Sequence, residues 1–207
     1  MLFLMLILLS VVLRTFLENN IGRDRKSNPR TMRRQFLVLC EGETEEAYVF
    51  FLKQRYRLPI KIVSKIIGSK ISQRLIDRHK KELASDPSEI KVFLMYDGDV
   101  PDVLESLKAC DGVMLVSKPC IEIWFMAHYM QIPDTELASD TSVRNLRLIP
   151  DWGTYKKGML TIRQQDSLWD NRMRAVENTK NKTESNKTYS TIYQFINILE
   201  TEKNRNN

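Results

Sequence analysis

From Phe36 onward, apolar runs alternate with amphipathic stretches. Phe36–Cys40 is apolar throughout, the pattern of a parallel strand covered on both faces. Glu41-Gly42-Glu43 follows, and Thr44-Glu45-Glu46 gives an N-cap-like start to a helix running towards Gln54, with Ala47, Phe50 and Phe51 on one face. Ile60–Ile67 is rich in β-branched residues, and Gly68-Ser69 opens a polar helix reaching about Ala84. Ile90–Tyr96 predicts a strand that ends in Asp97-Gly98-Asp99, and Pro101 marks the start of a helix to about Ala109. Gly112–Val116 is a short buried strand. Ser117-Lys118-Pro119 then turns the chain into an apolar, aromatic helix over Cys120–Met130. Four such alternations predict an α/β fold, an open and mainly parallel sheet flanked by helices.

Beyond Ile132-Pro133 the pattern changes to helical stretches with no convincing strand. Asn178–Lys187 is polar and reads as a loop. Ile192, Phe195, Ile196 and Leu199 then fall at helical spacing, a terminal helix packing back on the core. Three segments result: an apolar start and basic arm over residues 1–34, an α/β domain over 35–132, and a small helical extension over 133–207. Met1–Leu13 is apolar except for Ser10, shorter than the roughly 20 residues a spanning helix needs. Its basic charge follows the apolar run, where a secretory signal carries it in front. The segment reads either as a weak membrane anchor or as residues ahead of a later start at Met5 or Met32.

Composition places the chain among globular proteins, with 43% hydrophobic and 28% charged residues. Seven Gly and seven Pro argue against a loop-rich or all-β scaffold. Cys40, Cys110 and Cys120 form no CxxC and leave an odd count, against a disulfide framework or a structural zinc site and in favour of a reducing cytoplasm. The net charge of +6 is unevenly spread: net +5 over residues 14–34, −3 over 35–152 and +4 over 153–207. Solvated tails explain such a pattern by themselves. So does a protein whose carboxylates hold metal while its basic ends hold a polyanion.

Functional side chains of open α/β sheets gather at the carboxyl ends of strands. Three predicted strands deliver acids there: Glu41, the pair Asp97 and Asp99, and Glu122. Singly these mean little, because Asp-Gly-Asp is more commonly a turn than a metal site. Their convergence changes the balance. Asp97 and Asp99, two apart, point to the same side with Gly98 between them. Oxygen ligands without a nearby His or Cys suit Mg²⁺ or Mn²⁺ rather than Zn²⁺.

FLVLCEGETEEAYVFFL, FLMYDGD, and SKPCIEIW followed by His128 together resemble the Toprim domain in the form carried by RloB-like proteins. The match covers about residues 36–130, with weaker echoes in Tyr155-Lys156-Lys157 and Ser190-Thr191. Carried over by position, the resemblance implies Glu41 as metal ligand or general acid/base, Asp97 and Asp99 as the metal pair, and Glu122 as the later acid with Ser117 beside it. Glu45 matches the Thr-Glu step, as a ligand or a helix cap. Lys118 departs from the Asn common there. The resemblance implies a Mg²⁺- or Mn²⁺-dependent, Toprim-like nuclease related to OLD-family enzymes, a phage-defence (abortive-infection) effector whose partners are nucleic acid and an ATPase encoded nearby.

Other residues keep plainer readings. Trp124, Phe125, Met126 and Cys120 read as core, and His79 as surface. His128 is either a hydrogen-bonded structural residue or part of the site. Tyr155, Lys156 and Lys157 read as phosphate contacts or a solvated turn. Arg30, Arg33 and Arg34 of the arm, with Lys156 and Lys157, are the candidate nucleic-acid contacts. The rival function is a nucleic-acid-binding or sensor module with a structural ion and no turnover.

Overall fold

A computed structural model of the chain describes residues 34–83 and 89–205. The apolar start, the alternative start sites, Arg30 and Arg33 lie outside them. Four parallel strands, β1 (Gln35–Cys40), β2 (Lys61–Ile66), β3 (Ile90–Asp97) and β4 (Val113–Lys118), form a sheet in the order β2-β1-β3-β4, with β5 (Tyr189–Ser190) antiparallel to β4 at the far side. The apolar runs become the central strands because side chains alternate between two covered faces. Val38, Cys40, Phe93 and Met95 face one core; Leu37, Leu39, Leu94 and Tyr96 face the other.

The first core is closed by α1 (Glu43–Tyr56) and α4 (Glu122–Ala127), the second by α2 (Gln73–Leu83) and α3 (Pro101–Lys108). The fold is the expected α/β sheet flanked by helices. Residues after 133 add α5 (Ser139–Leu146), α6 (Ile162–Asp170), α7 (Arg172–Thr179) and α8 (Tyr193–Arg205) to the first core. Phe125 stacks on Trp152 at a centroid distance of 5.3 Å and meets Tyr48 edge-on at 5.5 Å, so sheet-side helices and the later segment share one aromatic cluster. No helix among the described residues is long and apolar enough to cross a membrane.

Three local expectations change. The segment after residue 133 does hold a strand, β5, although none was expected there. Two residues show no periodicity; side-chain bonds place them, Ser190 Oγ with Ser117 Oγ at 2.8 Å and the Val116 N–H donating to Thr191 Oγ1 at 2.8 Å. Phe50 does not share the buried face of Phe51: it is 56% exposed, while Tyr48, Val49, Phe51, Leu52 and Tyr56 carry the packing. The aromatic helix is shorter than expected, because Ile123 and Trp124 N–H groups bond three residues back to Cys120 and Ile121 and form a tight entry turn.

Trp124, Phe125, Met126 and Cys120 are buried, as their apolar setting implied. His79 is more covered than a surface residue, with a side chain only 12% exposed and Nδ1 3.0 Å from Glu82. His128 sits in the core, edge-on to Trp124 with Nδ1 2.9 Å from the Trp124 carbonyl. Burial disfavours its charged form and lowers its pKa to about 4. The unfolded chain therefore binds a proton that the folded chain refuses. Stability from this group is present above an unfolded pKa of about 6.5 and is lost as pH falls from there through about 4. The full loss is up to about 3 kcal/mol. Urea unfolding at neutral and acid pH should show this loss in wild type and a flatter profile in His128→Gln. Identical profiles would contradict it.

Candidate active site

Because β1–β4 run parallel, their carboxyl ends open on one edge. Glu41 leaves β1 there; its N–H donates to the Met95 carbonyl at 3.1 Å, and its Oε2 accepts the Asp97 N–H at 3.0 Å. Asp97 ends β3, and its Oδ1 accepts the Ile121 N–H at 2.9 Å across the turn into α4. Glu122 begins α4, wholly buried. Its Oε1 accepts the Tyr155 hydroxyl at 2.9 Å, and its Oε2 has no hydrogen-bond partner among the described residues. Glu45, also buried, folds back to accept the Gly42 N–H at 3.0 Å, which gives it the helix-capping contact at the start of α1. A cavity of about 300 Å³ opens over this edge, lined by Glu41, Glu45, Asp97, Ile121 and Lys157 among others.

The carboxylates crowd one another. Burial, then the charges of Glu45, Glu122 and Glu41, push the Asp97 carboxyl up to about 8, with Lys157 pulling it back. Burial likewise raises Glu41, against the Asp97 N–H bond and Lys157. Burial also raises Glu45. Lys157 is the cation facing them, its Nζ 3.9 Å from Glu122 Oε1. Burial works against its ammonium, but Glu122, Asp97 and Glu45 outweigh it and raise its pKa.

Lys157 is delivered by a tight hairpin in which Lys156 bridges Met159. Gly158 has φ of 80°, and its N–H donates to Thr44 Oγ1 at 2.9 Å. A Cβ there would lie 2.9 Å from Glu43 Oε2, so the docked hairpin requires glycine. Tyr155, just before it, is not the solvated turn residue that was one of its readings: it is 1% exposed and holds Glu122. Tyr155 as a holder of Glu122 and Thr44 as the hairpin's anchor were not legible in the sequence, since neither contact is local.

The remaining candidates lie as follows. Asp99 is exposed, and its Oδ2 accepts the Ser139 hydroxyl at 3.3 Å. Ser117 bonds to Ser190 through its hydroxyl, while its carbonyl accepts the Gly98 N–H at 2.8 Å. Lys118 packs behind Gly98, where an added Cβ would meet it at 3.0 Å. His128 is a core residue, and Lys156 is exposed on the hairpin. Arg34 precedes β1 at the opposite edge of the sheet and pairs with Glu202 at 2.6 Å, so it is not brought to the acids.

As to metal, among the described residues no group of three or more His, Cys, Asp or Glu side chains is arranged to hold an ion. The chemistry of the donors nonetheless suits a hard divalent cation. All are carboxylate oxygens, mutually repelling, and one buried oxygen of Glu122 is unpartnered.

The model of the family described as RloB-like protein matches residues 36–199. The chain belongs to the RloB-like family. No curated protein and no solved structure matches it. The RloB-like match runs from the first residues of β1 into α8, so it takes in the acids at the strand ends, the Tyr155–Lys157 hairpin and the Ser190-Thr191 step alike.

Proposed function

We propose that this RloB-like chain is a nuclease dependent on Mg²⁺ or Mn²⁺, cleaving phosphodiester bonds of nucleic acid at the acidic edge of its sheet. The observation that carries the reading is the crowding of Glu41, Glu45 and Asp97 around one open cavity, with the wholly buried Glu122 close enough to act on Asp97 and carrying an unpartnered oxygen. Carboxylates so placed repel one another unless a cation joins them. Glu41, Asp97 and Glu122 would hold the ion, with Asp99 beside them. A bound divalent ion would supply Lewis-acid stabilisation of the charge that develops on phosphate oxygens.

The chain's own groups have separate tasks. The Asp97 N–H fixes Glu41 at the cavity mouth, where it can take a proton from an attacking water. Tyr155 orients Glu122 from beneath. Lys157, half-exposed, balances the acids and faces the position of an incoming phosphate. The phage-defence role and a partner ATPase rest on the family resemblance alone.

One observation favours a second reading. Lys157 already offsets part of the acid charge, which suits a nucleic-acid-binding or sensor module with a structural ion and no turnover. A Mn²⁺-supplemented nicking assay on wild type and Asp97→Asn separates the two readings.

A further inference from the structure

α2 crosses from β2 to β3 on the sheet face opposite α1 and α4, and it buries a single side chain, Ile76. Its outer side is basic. Residues 69–83 carry Lys70, Arg74, Arg78, Lys80 and Lys81 against Asp77 and Glu82, within a stretch, 35–152, that is acidic overall. Arg74, Arg78 and Lys81 are all exposed and spaced four and three residues apart. They form one stripe about 10 Å long at 1.5 Å per residue. With Ser72 and Asp77 they line a shallow cavity of about 660 Å³.

The fold makes little use of these charges. Asp77 accepts from Gln73 at 2.9 Å, and Glu82 is held by His79 at 3.0 Å with Arg78 at 3.9 Å. Among the described residues no carboxylate pairs with Arg74 or Lys81. Arg74 also stands in the first turn of α2, which holds no acid. That end of a helix carries partial positive charge, so an arginine there works against helix stability. The described part of the fold thus leaves its charge without a carboxylate to offset it.

α2 begins just after the carboxyl end of β2, which is tied to β1 by the Ile67 N–H donating to the Cys40 carbonyl at 2.9 Å. At the start of α2, Gln73 Oε1 accepts the Asp111 N–H at 2.7 Å, which sets Arg74 beside the turn into β4, and Arg78 and Lys81 follow along the helix. We propose that this stripe binds the phosphate backbone of a nucleic acid. That binding does not depend on the nuclease reading. Bases repeating every ~5–6 Å along a line match a polymer of phosphates. A lipid surface would require apolar side chains among the bases, and only the half-buried Leu75 lines the cavity beside them.

The test is fluorescence anisotropy with a short single-stranded oligonucleotide and its duplex, in EDTA so that nothing is cut. The triple variant R74Q/R78Q/K81Q is compared with K53Q/K61Q/K65Q, which removes as much charge from exposed positions on α1 and β2. The α2 variant should bind about tenfold or more weakly, and its slope of log affinity against log salt should flatten by about 2 for a single strand or somewhat more for duplex. The control should stay within about threefold of wild type, and both variants should melt with wild type, since the replaced side chains are exposed. Equal losses in both variants, an unchanged α2 variant, or a wild type that binds neither probe would each overturn the surface. A wild type that binds through α2 yet never cuts with Mn²⁺ would sustain the surface and remove the nuclease reading.

Discussion

Asp97→Asn is expected to lower Mn²⁺-supported cleavage about a hundredfold or more while leaving nucleic-acid affinity equal or higher. The substitution keeps the side chain's shape, and an amide oxygen can still accept the Ile121 N–H that Asp97 Oδ1 takes at 2.9 Å. What it removes is a carboxyl that its neighbours hold largely protonated near neutral pH but that can ionise to bind a divalent ion. A divalent ion held by these acids loses a ligand, and with it the charge stabilisation that the reaction requires. Asp97 is largely uncharged near neutral pH without metal, so the amide that replaces it presents phosphate with no added repulsion and binding should not suffer. In EDTA the variant should melt no lower than wild type, because a half-buried carboxylate crowded by carboxylates is a source of strain rather than of stability. A variant that cuts as fast as wild type would remove Asp97 from the chemistry. A wild type that never cuts, beside a variant that melts markedly lower in Mn²⁺, would favour the structural-ion reading.

The largest effect on folding is expected at Phe125. It is fully buried, stacked on Trp152 at 5.3 Å and edge-on to Tyr48 at 5.5 Å and Tyr155 at 6.2 Å. Cutting it to alanine leaves a cavity where α4, α1 and the segment after residue 150 meet. Phe125→Ala should cost about 3–5 kcal/mol, a large share of the roughly 5–15 kcal/mol that holds a typical domain. Phe50→Ala is the comparison, since that ring is 56% exposed. It should change stability by only about 0.5 kcal/mol. Urea unfolding of the two variants reads the difference directly. A Phe125→Ala midpoint close to that of Phe50→Ala would show that the aromatic cluster does not bind the two parts of the chain.

The sheet was legible because β1 and β3 are covered on both faces and so read as uninterrupted apolar runs, Phe36–Cys40 and Ile90–Tyr96. The acids followed from the same reading, since Glu41 and Asp97 stand where buried parallel strands end and Glu122 follows the turn out of β4. Contacts between distant segments were not legible. Tyr155 lies 33 residues beyond Glu122, and nothing near it in sequence marks it as buried. β5 is two residues long and is placed by Ser117, Val116 and Met114 on another strand, so no pattern of its own announces it. Phe50 misled because α1 carries apolar side chains around much of its circumference, and only packing decides which of them face the sheet. The basic stripe of α2 was visible only as a polar helix, because the meaning of Arg74 depends on its place in the first turn and on which of its neighbours leave it unpaired.

The central claim is that the crowded carboxylates receive a divalent cation, and Mn²⁺ binding tests it most directly. Electron paramagnetic resonance of free Mn²⁺, titrated with the purified full chain, counts the ions that the protein removes from solution. The account predicts that wild type sequesters Mn²⁺ and melts at a higher temperature in its presence, and that Asp97→Asn loses both effects. Wild type that leaves all the Mn²⁺ free and melts at the same temperature with Mn²⁺ as with EDTA would contradict it.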